Sequence, residues 1–149
     1  MPAQQKLYVV IVGCGRFGAS LANRLSADGH SVVAIDVRES AFGGLSDEFS
    51  GFRIEGDATE LAVLRQAKAA QADLLIAATR EDNVNLMVAQ VAAKILHVPR
   101  VIARVFDPRR EALFAALGLE AVCPTSLAVD ELTKSIAAPP APPKQGAQP

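Results

Sequence analysis

Three glycines, Gly13, Gly15 and Gly18, close the apolar run of LYVVIVGCGRFG (residues 7–18), and a helical pattern begins at once. An acid, Asp36, stands at the end of the next apolar run, 18 residues beyond the last glycine. Glycines and an acid at that spacing suit the binding of phosphate and ribose. Gly13 permits a tight turn. Gly15 lets the backbone approach a pyrophosphate, and Gly18 lets helix and strand pack closely. The N–H groups and dipole of the helix start favour an anion. Asp36 would accept hydrogen bonds from ribose hydroxyls. The motif alone also suits an empty strand-to-helix turn, and Asp36 alone a helix cap.

Other residues extend the candidate site. Asp36 should repel a 2′-phosphate, which favours NAD(H), ATP or ADP over NADP. Arg38 could reach such a phosphate, lie over an adenine or remain on the surface. Arg16 lies inside the glycine loop. Backbone amides already meet bridging phosphates there, so a cation serves a terminal β- or γ-phosphate better. Asp57 and Thr79 fall at the carboxyl ends of strands three and four, the edge where open α/β sheets bind ligands. They also read as a turn former and an N-cap. Arg104, late in strand five, points to the same edge or pairs with Asp107. Cys14, Phe17, Val37, Ala58 and Arg80 complete the candidate nucleotide-binding set as neighbours of these residues. His30 and His97 precede strands, at the opposite edge, and read as structural. The sequence shows no GxSxG elbow, HExxH motif or plausible carboxylate pair, so no catalytic residue and no metal ligand is assigned.

The elements that must position these groups follow in order. Strands are expected at 7–12, 31–36, 51–55, 73–77, 100–105 and 121–123. The helix after the glycines carries Phe17, Leu21 and Leu25 at four-residue spacing and stops at Asp28-Gly29. A weaker helix is expected over 39–49, loosened by Gly43 and Gly44. Thr59 reads as the N-cap of a helix carrying Leu61, Leu64 and Ala67. Thr79 and Asp82 have capping-box spacing, which predicts a long helix over 80–96. Asp107-Pro108 reads as an N-cap and N1 pair for the next helix, which Gly118 stops. A last helix over 126–136 aligns Val129, Leu132 and Ile136. Six alternating strands and helices imply a doubly wound, parallel six-stranded α/β sheet. Strands without polar alternation fit a sheet covered on both faces. Residues 1–136 form one nucleotide-binding domain. The Pro-rich residues 137–149 read as a disordered tail.

Composition sets outer limits. A chain of 149 residues, 50% of them apolar, suits one domain with a packed core. A net charge of −1 without a basic stripe argues against a nucleic-acid partner. No apolar run reaches the roughly 20 residues of a membrane span, and no signal peptide is legible. A cytoplasmic protein without direct membrane insertion is expected. Cys14 and Cys123 follow strands one and six, roughly 15 Å apart in such a sheet, too far for a disulfide.

Several segments together resemble the N-terminal domain of the regulator-of-potassium-conductance (RCK) family, also called KTN or Trk-N. They are VVIVGCGRFG (9–18), VVAID (32–36), GDAT (56–59), AATREDNVNLMVAQVAAK (77–94), ARVFDP (103–108) and GLEAVCPTSLAVDEL (118–132). The resemblance covers about residues 7–136. It implies a Rossmann domain that binds NAD(H) or adenine nucleotides, assembles as homodimers or rings, and regulates a potassium channel or transporter in the membrane. It implies that Gly13, Gly15, Arg16 and Gly18 form the phosphate loop and Asp36 the ribose acid. It also implies that Asp57-Ala58 meet the adenine, that Thr79 is a strand-four contact, and that Arg104 lies near the phosphates or the subunit interface. The last helix in such domains commonly packs on a neighbouring subunit. Where many members have a Pro-Glu whose acid can help hold a divalent cation, Pro124 is followed by Thr125. The usual second, C-terminal ligand-binding domain has no counterpart, which fits a single-domain member or an excised piece.

Two functions compete. A sensing module would bind nucleotides with different affinity in two conformations of an assembly. An NAD-dependent oxidoreductase domain would need a substrate-binding unit and a proton donor near the nicotinamide, and the sequence supplies neither. A ligand-free assembly scaffold is the third reading. Sensing is favoured.

Overall fold

The computed structural model describes residues 4–140, 142, 143 and 146. The expectation of a disordered tail falls in part on 141, 144, 145 and 147–149, outside the described residues. Six strands build one sheet: β1 (Tyr8–Val12), β2 (Ser31–Asp36), β3 (Phe52–Glu55), β4 (Leu74–Ala77), β5 (Arg100–Arg104) and β6 (Glu120–Val122). Their order is β3-β2-β1-β4-β5-β6, and every pairing is parallel. In the central pairings Val10 sits opposite Val33 on one side and Leu75 on the other.

The described residues also form five α-helices, α1 (Arg16–Ala27), α2 (Leu61–Gln66), α3 (Asp82–Lys94), α4 (Glu111–Ala116) and α5 (Pro124–Ala137), of which the first four cover the sheet. The central strands β1, β2 and β4 are apolar at nearly every position because both faces are buried, whereas the edge strand β3 is largely exposed. Val9, Ile11, Val32, Ala34, Leu74 and Ile76 pack with Ala19 and Ala22 of α1 and with Phe42, Leu45 and Phe49. The alternate residues Val10, Val12, Val33, Ile35, Leu75 and Ala77 pack with Leu64, Val88, Ala89, Ala92 and Phe114 from α2, α3 and α4. The period of two along each strand thus divides the core into two layers.

Four expected boundaries shift for local reasons. The helix expected over 39–49 is a 3-10 turn, Glu39–Gly44. Its two closing glycines have little helical preference. Thr59 does not cap α2: the N-cap position falls on Glu60, whose side chain makes no capping bond, and the Thr59 hydroxyl donates to Asp57 Oδ1 at 2.7 Å. The Thr79–Asp82 capping box does not form. The Thr79 hydroxyl donates to Asn85 Oδ1 at 2.7 Å. The Asp82 carboxylate accepts from the backbone N–H groups of Phe106 at 2.7 Å and Asp107 at 3.3 Å. Asp107 does cap its turn, accepting from Arg109 N at 3.0 Å. The last helix begins two residues early, at Pro124, a position that suits proline's fixed φ and missing N–H. Both thiols are free and buried. Among the described residues no helix is long and apolar enough to cross a membrane.

Candidate functional site

The strand order reverses between β1 and β4, whose following segments leave toward opposite ends of the sheet. A crevice opens there, beyond the carboxyl ends of the strands, as expected for an open α/β sheet. Its volume is about 570 Å³, enough for a nucleotide-sized ligand.

The glycine loop forms the floor, and each glycine has its own reason. Gly13 adopts φ +97°, and a Cβ there would lie 2.7 Å from the carbonyl oxygen of Ala78. A Cβ on Gly18 would lie 1.8 Å from the carbonyl oxygen of Gly13. A Cβ on Gly15 would meet nothing within 4 Å. Neither backbone strain nor internal packing requires Gly15; what it leaves free is space in the crevice.

Asp36 ties the loop to the end of β2. Its Oδ2 accepts from Cys14 N at 2.8 Å and its Oδ1 from Arg38 N at 2.9 Å. Asp36 therefore does not cap a helix. Each oxygen keeps a lone pair for a ribose hydroxyl. Asp57 Oδ1 accepts from the N–H and hydroxyl of Thr59, and these bonds hold its carboxyl below the usual range. Burial, with the Asp36 carboxylate beside it, pushes the Cys14 thiol up to about 11. It stays protonated at neutral pH and is no nucleophile.

The crevice carries an excess of cationic groups. Arg16, Arg38, Arg80 and Arg104 line it with the acids Asp36, Asp57 and Glu81. Among the described residues none of those four arginines forms a salt bridge. Arg104 does not pair with Asp107 as one reading of the sequence expects. Arg109 holds Asp107 at 2.8 Å instead. The Arg104 guanidinium lies over two rings, 4.6 Å from the Phe17 centroid and 4.1 Å from that of Phe106. Burial, with Arg80 nearby, lowers its pKa, but a guanidinium stays charged.

Of the candidate residues, Gly13, Gly15, Arg16, Phe17, Asp36, Val37, Arg38, Asp57, Ala58, Thr79, Arg80 and Arg104 line the crevice. Cys14 and Gly18 do not. Cys14 supports it through its N–H bond to Asp36, and Gly18 through its packing on Gly13. Glu81, Val84 and Phe106 also line it; they fall inside segments of the family resemblance but are not among the candidate site residues. His30 lies at the other edge, where its Nδ1 accepts from Leu7 N at 3.1 Å.

Sequence reasoning also misses Asn85, which is fully buried. Its Oδ1 accepts from the N–H and hydroxyl of Thr79, and its Nδ2 donates to the carbonyls of Thr79 and Arg104. The Thr79 N–H fixes this amide orientation, since a flipped amide would set donor against donor. Asn85 thereby joins the ends of β4 and β5 under the crevice. The available signal is an amide at a helix position facing the core, directly before the apolar run of Leu86, Met87 and Val88. Asn85→Ala strands three backbone groups, each costing about 1–3 kcal/mol when unpaired and buried. The expected result is a loss of about 3 kcal/mol, read as a fall of about 1–2 M in the urea midpoint. An unchanged midpoint would show that water replaces the amide at no cost.

Sheet order, glycine turn, strand-end acid and crevice position together define a Rossmann-type α/β domain. The chain belongs to the TrkA-N domain family, whose model matches residues 9–124. It is 34% identical over 130 residues to the Trk system potassium uptake protein TrkA of Streptomyces coelicolor, covering 87% of this chain and 58% of that one. The chain thus spans less than two thirds of that relative's length. It is also similar to the Shewanella denitrificans Kef CTD, solved in AMP-bound form. There the identity is 28%, the TM-score 0.68, and the coverage 85% of this chain and 80% of that one. The GsuK channel bound to NAD shares the fold at 20% identity, with a TM-score of 0.66 over 82% of this chain and 22% of that one.

Proposed function

We propose that this chain is a nucleotide-sensing regulatory module of potassium transport, binding NAD(H) or ATP/ADP in the crevice. The observation that carries the reading is the convergence on one cavity of an open Gly15 backbone, a strand-end carboxylate and four arginines that form no salt bridge among the described residues. Glycine loop and arginines would take phosphates, and Asp36 would take the ribose. A relative named as a Trk potassium uptake protein, an AMP-bound Kef domain and an NAD-bound channel support the same chemistry. The lining residues include no His, Lys or Tyr to pass a proton, which favours sensing over hydride transfer.

In this reading the chain acts in the cytoplasm as a homodimer or ring beside a membrane channel or transporter. The stripe of α5 would pack on a neighbouring subunit: Leu132 is 62% and Ile136 83% exposed in the single chain. Nucleotides would shift the assembly between two conformations by no more than their difference in affinity for the two. Calorimetric titration with NAD, NADH, ATP, ADP and NADP tests the proposal. Saturable binding is expected, with NADP at least about tenfold weaker than NAD because its 2′-phosphate meets Asp36. Failure of every one of these nucleotides to bind would overturn the reading.

A further inference from the structure

Arg104 is the most constrained cation in the crevice. Its carbonyl accepts from Asn85 Nδ2 at 2.9 Å, so the backbone beneath it is held. Its guanidinium carbon lies over two rings, 4.6 Å from the Phe17 centroid and 4.1 Å from that of Phe106. Phe17 stands in the first turn of α1, and Phe106 follows β5 with its N–H bonded to Asp82 Oδ1. Among the described residues nothing accepts from Arg104 Nε, which is buried. A guanidinium is planar, and all its N–H donors lie in the plane. Two rings this close limit how the guanidinium can turn. A guanidinium held in one orientation can meet two oxygens of a phosphate group with a pair of N–H donors, a geometry that a lysine ammonium lacks.

We propose that Phe17 and Phe106 are positioning residues that hold the Arg104 guanidinium at the crevice, so that the site distinguishes phosphorylated adenosine from adenosine. The inference rests on the nucleotide-binding reading. Neither ring is required to touch the nucleotide. The rings act through Arg104, and removing them frees the guanidinium to rotate out of register. A residue that merely maintained the fold would affect every ligand alike.

The test is calorimetric titration of the chain with ADP and with adenosine. The variants are Phe106→Leu, Phe106→Tyr and the double variant Phe17→Leu/Phe106→Leu. The double variant is expected to bind ADP about tenfold more weakly, while adenosine affinity stays within about twofold. Phe106→Leu alone is expected to weaken ADP about threefold. Phe106→Tyr, which keeps the ring, should return ADP binding to the wild-type range. Phe106 is 38% exposed, so the single variants keep the fold and the test stands even if the double variant does not fold. Equal losses for ADP and adenosine would overturn the clamp, as would Tyr and Leu variants that behave alike. A wild-type chain that binds ADP and adenosine equally overturns the clamp alone. A wild-type chain that binds no nucleotide overturns the reading beneath it.

Discussion

Gly18→Ala is expected to cost more stability than an alanine at Gly15. The added Cβ would sit 1.8 Å from the carbonyl oxygen of Gly13 and 2.8 Å from its carbon. Both atoms are backbone and cannot rotate aside. Relief requires α1 to move away from β1 by more than an ångström, against the layer in which Ala19 and Ala22 are buried. Overpacking of this kind costs about 3 kcal/mol or more. Gly15→Ala is the control, because its Cβ meets nothing and the loss at a helix start is under about 1 kcal/mol. Urea unfolding followed by circular dichroism separates the two. A Gly18→Ala midpoint equal to the wild type would show that α1 is not seated on the loop. The Gly15 variant should keep its fold and lose affinity, since its methyl group occupies room a phosphate would use.

Asp36→Ala is expected to have the largest effect on binding. Its carboxylate already accepts from Cys14 N and Arg38 N, so it is oriented before any ligand arrives and no ordering is needed on binding. A hydrogen bond from a ribose hydroxyl to a charged acceptor contributes about 1.5–3 kcal/mol. Losing it should weaken NAD or ADP between about tenfold and a hundredfold. A second consequence distinguishes this from loosening of the loop. Without the carboxylate the 2′-phosphate of NADP is no longer repelled, so the NAD-to-NADP preference should narrow. Competition titrations measure both numbers. Equal weakening of NAD and NADP would mean that Asp36 acts only through Cys14 and Arg38.

Much of the sheet is legible in the sequence because a doubly covered strand is an uninterrupted apolar run, and such runs stand out between turns. β2 is the clear case, bounded by Gly29 at φ +92° and ended by Asp36. The crevice is legible to the extent that its groups sit at strand ends, where Asp36, Asp57, Thr79 and Arg104 all fall. What the sequence hides are partnerships. Thr59 and Thr79 have the residue type of caps, yet the N-caps fall one residue and two residues further on, at Glu60 and Glu81, and the two hydroxyls donate to Asp57 and to Asn85. Asp82 has the spacing of a capping box but serves backbone N–H groups 24 and 25 residues away. Nothing in a linear pattern distinguishes a local acceptor from one brought in by the next strand. Asn85 is hidden for the same reason, since its four partners lie on two strand ends. The placement of Arg104 beside Phe17 joins residues 87 positions apart, and no motif encodes that distance.

α5 buries none of its residues against its own chain. A helix of 14 residues, about 21 Å long, is marginal when it stands alone in water. Its hydrogen bonds do not compensate for the order they impose unless something shields the Val129, Leu132 and Ile136 stripe. In the proposed assembly, a neighbouring subunit against that stripe would stabilise α5 by mass action. The helical content of this one segment would then follow the concentration of its partner, turning an encounter into order.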